Sequence, residues 1–286
     1  MIYADHELAR RLENLVCSEY QRLVTVAGRV LPQHSPESLE VAGGVAIWLG
    51  EGSPVNGAVG LGMSGPVDEE AVVELEAFYH RRGAGAVTTI CPLADPSLLH
   101  LLGRRSWIAT EFEHVLALGL KHRGPVHAGG SRAELALEHA ELSPDLDNAG
   151  FEVRVCLPEE REIWGRAAAQ GFGDSAPQAA HEEFGRLMAD KDDAILLLAW
   201  VDGEPAGTGA LVVDGGVGWL SGDSTLPRYR RRGIQQAIQR HRIELARAAS
   251  CELAVTEAAP GGASQRNIER LGFRIVYTHV EFAKPV

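Results

Sequence analysis

Apolar residues in the stretch 5–26 fall near helical spacing at Leu8, Leu12, Leu15, Leu23 and Val26, which predicts one or two amphipathic helices. The pattern then shortens. VAIWLG and GAVGLGM read as strands joined by the turn-rich EGSPVN. DEEAVVELEAFYHRRG reads as a helix, with acids in its first turn and arginines just before Gly83. AVTTIC as a strand, DPSLLHLLG as a short helix and ATEFEHVLAL as a strand complete the first half.

Residues 121–150, bounded by KHRGPVHAGGSR and SPDLDNAG, lack that regularity and read as a connection, interrupted by a short helix around 132–141. Beyond it come a strand (FEVRVCLP), two helices (EEREIWGRAAAQGF and HEEFGRLMAD), and two strands about an Asp202-Gly203 turn, a dipeptide that favours a tight hairpin. VGWLSGDSTL is a further strand. A basic turn opens a helix running to about residue 249, CELAVTEA is a strand, SQRNIERLG a short helix, and FRIVYTHVEFAK the last strand. Both halves thus end in strand, turn, long helix, strand, short helix closing in Leu-Gly, strand. Gly65 precedes Gly103 by 38 residues and Gly233 precedes Gly272 by 39. This order predicts an α/β chain with mixed α+β sheets and a diverged internal duplication.

Length and a 45% hydrophobic content allow two cores of ordinary size. A net charge of −12 argues against nucleic acid as a partner, since phosphate neutralisation needs a broad basic face. Cys17, Cys91, Cys156 and Cys251 form no CxxC pair, and there is no HExxH or Cys/His ladder, so no metal is expected. The first residues, MIYADHELARRLENL, do not read as a signal peptide, and no apolar window is long enough to span a membrane, so a cytoplasmic location is expected. GLGMSG, residues 60–65, matches a dinucleotide-binding spacing, but Pro66 interrupts the turn and Asp68, Glu69 and Glu70 put negative charge where a pyrophosphate would lie.

Against this acidic background the stretch LPRYRRRGIQQAIQ stands out. From residue 223 to 247 there are seven arginines and two acids, a local excess of five positive charges. A turn from a strand into a helix leaves the first helical N–H groups unpaired at the positive end of the dipole, where phosphate binds. Gly233 removes a side chain where an anion would approach the backbone. Ile234, Ala237, Ile238, His241, Leu245 and Ala249 form an apolar stripe that holds the helix on a sheet. An ordinary surface helix start is the competing reading, and His241 on that stripe reads as a packed core histidine.

The order strand, basic turn, helix, strand, SQRNIERLGF, strand over residues 150–286 resembles the GNAT superfamily of acyl-CoA-dependent N-acyltransferases. Its motif Gln/Arg-x-x-Gly-x-Gly/Ala is matched by Arg230, Arg231, Arg232, Gly233, Ile234 and Gln235, and its Leu-Gly-Phe by Leu271, Gly272 and Phe273. The resemblance implies two GNAT-like domains in tandem: a degenerate one at 1–122 without the coenzyme motif, a connection at 123–149, and an acetyltransferase domain at 150–286. The degenerate half would shape the substrate cleft or form an interface, which leaves room for a homodimer. The resemblance further implies acetyl-CoA or a related acyl-CoA as cosubstrate and a small-molecule or peptide amine as acceptor. Arg230, Arg231, Arg232, Gly233, Ile234, Gln235 and Gln236 would hold the pyrophosphate, and Thr225 with Leu226 the pantetheine arm.

Two positions depart from the family pattern. Gln235 stands where Gly or Ala is usual, and Ile268 occupies the slot of the tyrosine that protonates the departing thiolate. Ser264 and Asn267 read either as coenzyme contacts or as helix cap and surface residues. An amine near pKa ~10 must lose a proton to attack the thioester, so a base is needed. Asp223 and Glu257 are the candidates, Glu257 the better placed at a strand end, and each is otherwise a surface carboxylate. Tyr277 and His279 read as proton donors or as packing residues. The expected function is N-acetyl transfer from acetyl-CoA to an amine. The alternative is a catalytically silent acyl-CoA-binding or sensing protein.

Overall fold

The structure, a computed structural model, describes residues 2–120, 150–171 and 178–286. The connection expected at 123–149, with its helix near 132–141, lies outside the described residues, as do residues 172–177 of the loop around 171–182. The chain divides into two compact units. One comprises Tyr3–Val115 with Ile275–Val286, the other Met1–Ile2 with Leu116–Arg274.

In the first unit a single helix, α1 (His6–Val30), covers the stretch read as one or two. Asp5 caps it by accepting from the Leu8 amide at 2.8 Å, and Leu12, Leu15, Leu23 and Val26 are buried. β1 (Glu37–Val41) and β2 (Gly44–Trp48) form an antiparallel hairpin through Ala42 and Gly43, both at positive φ. β3 (Gly57–Val59) is antiparallel to β2 and parallel to β4 (Ala86–Ile90), and α2 (Glu69–His80) makes the crossover between them. α3 (Pro96–Arg104) leads into β5 (Ile108–Gly119), within which the division between the units falls. Trp48, Leu75, Phe78, Tyr79, Leu98 and Trp107 lie at the centre of this core.

The strand closing the chain, β11 (Arg274–Lys284), pairs antiparallel with β4, from Val280 opposite Ile90 to Lys284 opposite Ala86. Packing thus groups Ile275–Val286 with the first unit, whereas the sequence order had assigned residues 150–286 together. Buried contacts fix it there. The Tyr277 hydroxyl donates to Glu13 at 2.8 Å, His279 Nε2 lies 2.7 Å from the same carboxylate, and all three side chains are buried. At the strand's far end Lys284 donates to Glu76 of α2 at 2.9 Å.

The second unit begins with β6 (Glu152–Val155), α4 (Arg161–Gly171) and α5 (Gln178–Ala189). β7 (Ala194–Val201) and β8 (Glu204–Asp214) meet at Asp202-Gly203, with φ 51° and 79°, the positive pair that a two-residue hairpin needs. β9 (Val217–Thr225) completes an antiparallel run, and β10 (Leu253–Ala258) joins β9 in parallel after the crossover helix α6 (Ile234–Ala248). α7 (Ala263–Arg270) follows. The two units therefore repeat one motif, antiparallel strands followed by a parallel crossover and a short helix, consistent with duplication.

Glu76 lends itself to a pH test. Burial opposes its ionisation, but hydrogen bonds from Arg105, Lys284 and Trp107 outweigh that and lower its pKa from 4.5 to about 2. A carboxylate whose pKa is lowered in the folded state contributes stability above its unfolded pKa and loses it as pH falls through the folded one. The melting temperature of Glu76→Gln should therefore lie below wild type at neutral pH. The gap should close between pH 4.5 and about 2. A pH-independent gap in thermal melts would contradict this role.

Candidate active site

α6 starts differently from the helices of the first unit. Asp5, Asp68 and Asp95 cap α1, α2 and α3 with their carboxylates, each cap contributing about 1 kcal/mol. The N-cap of α6 is Gly233, at φ 85° and with no side-chain cap bond. Its first amides are left to solvent or to a ligand. A Cβ built on Gly233 meets nothing within 4 Å, so the space in front of the helix end is open. Ile234, Ala237, Ile238 and Leu245 anchor the helix in the core.

A cavity of about 550 Å³ opens at this helix end. Its walls include Asp223, Ser224 and Thr225 of β9, Arg230, Arg231 and Gly233 of the basic turn, Gln235 and Gln236 of α6, and Asn267 of α7. Ile234 lines it as well while its side chain is in the core. Most residues expected to hold the coenzyme thus share one cavity. Five neighbours were not anticipated: Gly171, Ser224, Tyr229, Ala263 and Arg270. Ala263, Asn267 and Arg270 lie at helical spacing on one face of α7, a spacing already present in ASQRNIER.

The arginines divide by partner. Arg228 pairs with Glu204 at 3.5 Å. Arg230 donates to the Thr225 and Gly171 carbonyls at 3.2 and 3.3 Å and so fastens the turn to β9 and α4. Arg232 reaches the Gly150 carbonyl at 3.5 Å and does not line the cavity. Arg231, at φ 65°, lines the cavity and makes no hydrogen bond or ion pair among the described residues. Leu226 is buried, and its amide is used by the Ala206 carbonyl at 3.0 Å.

Gln235, in the position where Gly or Ala was expected, bridges two helices. It donates to Ser264 Oγ at 3.0 Å and accepts from Asn267 Nδ2 at 2.9 Å, while Gln236 and Arg270 donate to Asn267 Oδ1 at 3.5 and 3.2 Å. Ser264 faces Gln235 and lies outside the cavity wall, and Gly262, not Ser264, is the N-cap of α7. Ile268 is buried in the core, so the tyrosine slot points away from solvent.

Of the two candidate bases, Asp223 lies in the cavity wall with its carboxylate in an ion pair with Arg242. Glu257 sits half-buried at the end of β10. The β9–β10 ladder pairs Leu253–Val255 with Val217–Trp219, and the strands continue beyond it to Thr225 and Ala258. Tyr277 and His279 belong to the first unit's interior. His241 is buried on α6, and burial lowers its pKa, as befits a packed neutral imidazole. Burial raises the Cys17 and Cys156 thiols to about 11 and Cys91 to about 12, which disfavours thiolate nucleophiles.

In the first unit the corresponding helix end is closed. The Asp68 carboxylate accepts from the Ala71 amide at 2.8 Å, and Arg81 and Arg82 near the other end of α2 pair with Glu37. The cavity of about 820 Å³ beside it is lined by Asp68 and Glu69.

Residues 159–273 match the Acetyltransferase (GNAT) family model. Among solved structures, a GCN5-related N-acetyltransferase from Kribbella flavida is 17% identical, with 93% of this chain and 96% of that chain covered and a TM-score of 0.59. A GCN5-related N-acetyltransferase from Sphaerobacter thermophilus is 16% identical, covering 87% and 76% at a TM-score of 0.56. A tandem GNAT protein from the clavulanic acid biosynthesis pathway is 13% identical, covering 85% and 78% at 0.55. At these identities the likeness is one of fold. No curated protein matches the chain in sequence.

Proposed function

We propose, from the premise that residues 159–273 form a domain of the GNAT acetyltransferase family within a tandem GNAT fold, that this protein transfers the acetyl group of acetyl-CoA to an amine. The observation that carries the reading is the uncapped start of α6, with Gly233 and Arg231 opening on one cavity. The pyrophosphate would accept from the first amides of α6, and Arg231 would add charge at the rim. Gln235 would act indirectly by tying α7 to this end, with Asn267 and Arg270 on the facing wall. Thr225 would pair with the pantetheine arm, while Leu226, whose amide is already used, would support it from the core.

Chemically, the amine attacks the thioester carbonyl and loses a proton, and the thiolate leaves. Glu257 is the base this reading favours, because the Asp223 carboxylate is held by a buried guanidinium. With Ile268 in the core, the thiolate would take its proton from solvent, which its good leaving ability allows. That same burial favours a second reading, a silent acyl-CoA-binding or sensing protein. Steady release of free CoA with a panel of primary amines supports transfer, and binding without release supports sensing. A cytoplasmic location and a homodimer are compatible with either. Among the described residues no helix is long and apolar enough to cross a membrane.

Two variants test the assignments. Gly233→Asp meets no neighbouring atom but places an L side chain at φ 85°, a strained conformation, and puts a carboxylate in the cradle, where like-charge juxtaposition costs several kcal/mol. Acetyl-CoA affinity should fall at least ~100-fold by calorimetry with the fold retained, and wild-type affinity would move the site elsewhere. Glu257→Gln should lower turnover by ~100-fold or more, the usual range for a lost general base, while coenzyme affinity changes less than about threefold. Unchanged turnover would remove Glu257 from the mechanism.

A further inference from the structure

Arg242 is completely buried in the middle of α6. One terminal nitrogen, Nη1, donates to the Ala210 carbonyl of β8 at 2.9 Å and to the Ser221 carbonyl of β9 at 2.8 Å, and Nη2 pairs with the Asp223 carboxylate. The pairing of β8 with β9 changes register at this point. Thr208 lies opposite Ser224 but Ala210 opposite Ser221, so Gly222 and Asp223 together face Gly209. That is a bulge, and a bulge leaves ladder carbonyls without their usual amide partners. The guanidinium supplies donors in their place.

The surroundings are shaped for this arrangement. A Cβ on Gly209 would lie 3.1 Å from Arg242 Cζ, and one on Gly222, which sits at φ 65°, would lie 3.1 Å from the Trp164 ring. Trp164 is itself fully buried and donates to the Leu197 and Gly209 carbonyls at 3.0 and 3.2 Å. The bulge is therefore fixed between an indole and a guanidinium. Burying a charge is costly unless it is paired and hydrogen-bonded, and Arg242 meets that condition only while the bulge holds this shape.

We propose that Arg242 is a positioning residue that holds the β9 bulge at Ser221–Asp223 as the wall facing the acyl end of the coenzyme, with Asp223 serving as its anchor and not as the base. This rests on the acetyl-transfer reading. If the phosphates sit at Gly233, the arm runs along β9 from Thr225 toward Ser221. Four strand residues cover ~13 Å, so the thioester would arrive at the bulge. Arg242 touches neither phosphate nor acyl group in this arrangement and acts through the strand.

Hydrogen exchange read by mass spectrometry, with and without saturating acetyl-CoA, tests the proposal on the full chain. Wild type should gain protection both in peptides covering 220–226 and in peptides covering 231–237. In Arg242→Lys, whose donors all sit on one nitrogen and not on the two of a planar fork, protection at 231–237 should persist. Exchange at 220–226 should be at least tenfold faster and gain little from acetyl-CoA. Asp223→Ala removes a single anchor from the cavity wall, and it should show the same local loss to a smaller extent if Arg242→Lys fails to fold. Wild-type protection at 220–226 in both variants would overturn the proposal, as would uniform loss in both segments of folded Asp223→Ala, which would mean a general structural role. Absence of protection at 231–237 in the wild type would instead refute the coenzyme reading on which the proposal rests.

Discussion

A helix that begins at a glycine in the left-handed region has no side chain with which to cap itself, and its first amides must find acceptors elsewhere. In this protein that helix is α6, whose body is fixed in the core by Ile234, Ala237, Ile238 and Leu245. The end cannot move to relieve its unpaired donors. A small apolar stripe thereby holds a positively polarised helix end, open to solvent, beside Thr225 and Arg231. The rest of the site is arranged about that end: Arg230 ties the turn to β9, and Gln235 ties α7 to α6.

The first unit shows what the same topology does when that constraint is removed. Its crossover helix α2 is capped by Asp68 and followed by Glu69 and Glu70, so the helix end is satisfied internally and carries negative charge. The two units present crossover helices of like placement, and a capping carboxylate at the start of one and a glycine at the start of the other separate them. The first unit keeps its packing instead, with Glu13 and Glu76 gathering the last strand onto α1 and α2.

Much of this was legible in the sequence. The stripe on α6, the Asp202-Gly203 hairpin and the glycine of the basic turn each carry a local physical signal, and each formed where expected. β1 was missed because it is short and largely exposed, and its alternation amounts to only two apolar residues, Leu39 and Val41. The grouping of Ile275–Val286 with the first unit depends on pairing with β4, distant in the chain, for which a linear pattern has no mark. Arg242 was counted with the surface charge of the basic segment, yet it is buried, because its acceptors arise only once β9 bulges. Ser264, read either as a coenzyme contact or as a helix cap or surface residue, instead accepts a hydrogen bond from Gln235, a partner on another helix that a linear pattern does not mark.

Titration calorimetry of the intact chain with acetyl-CoA addresses the central claim most directly, since that claim is one open helix end in one unit. The account predicts a single site per chain. Two sites would mean that the acids of α2 do not exclude the coenzyme. No heat of binding at any accessible concentration would contradict the account, leaving the basic turn as an ordinary surface feature.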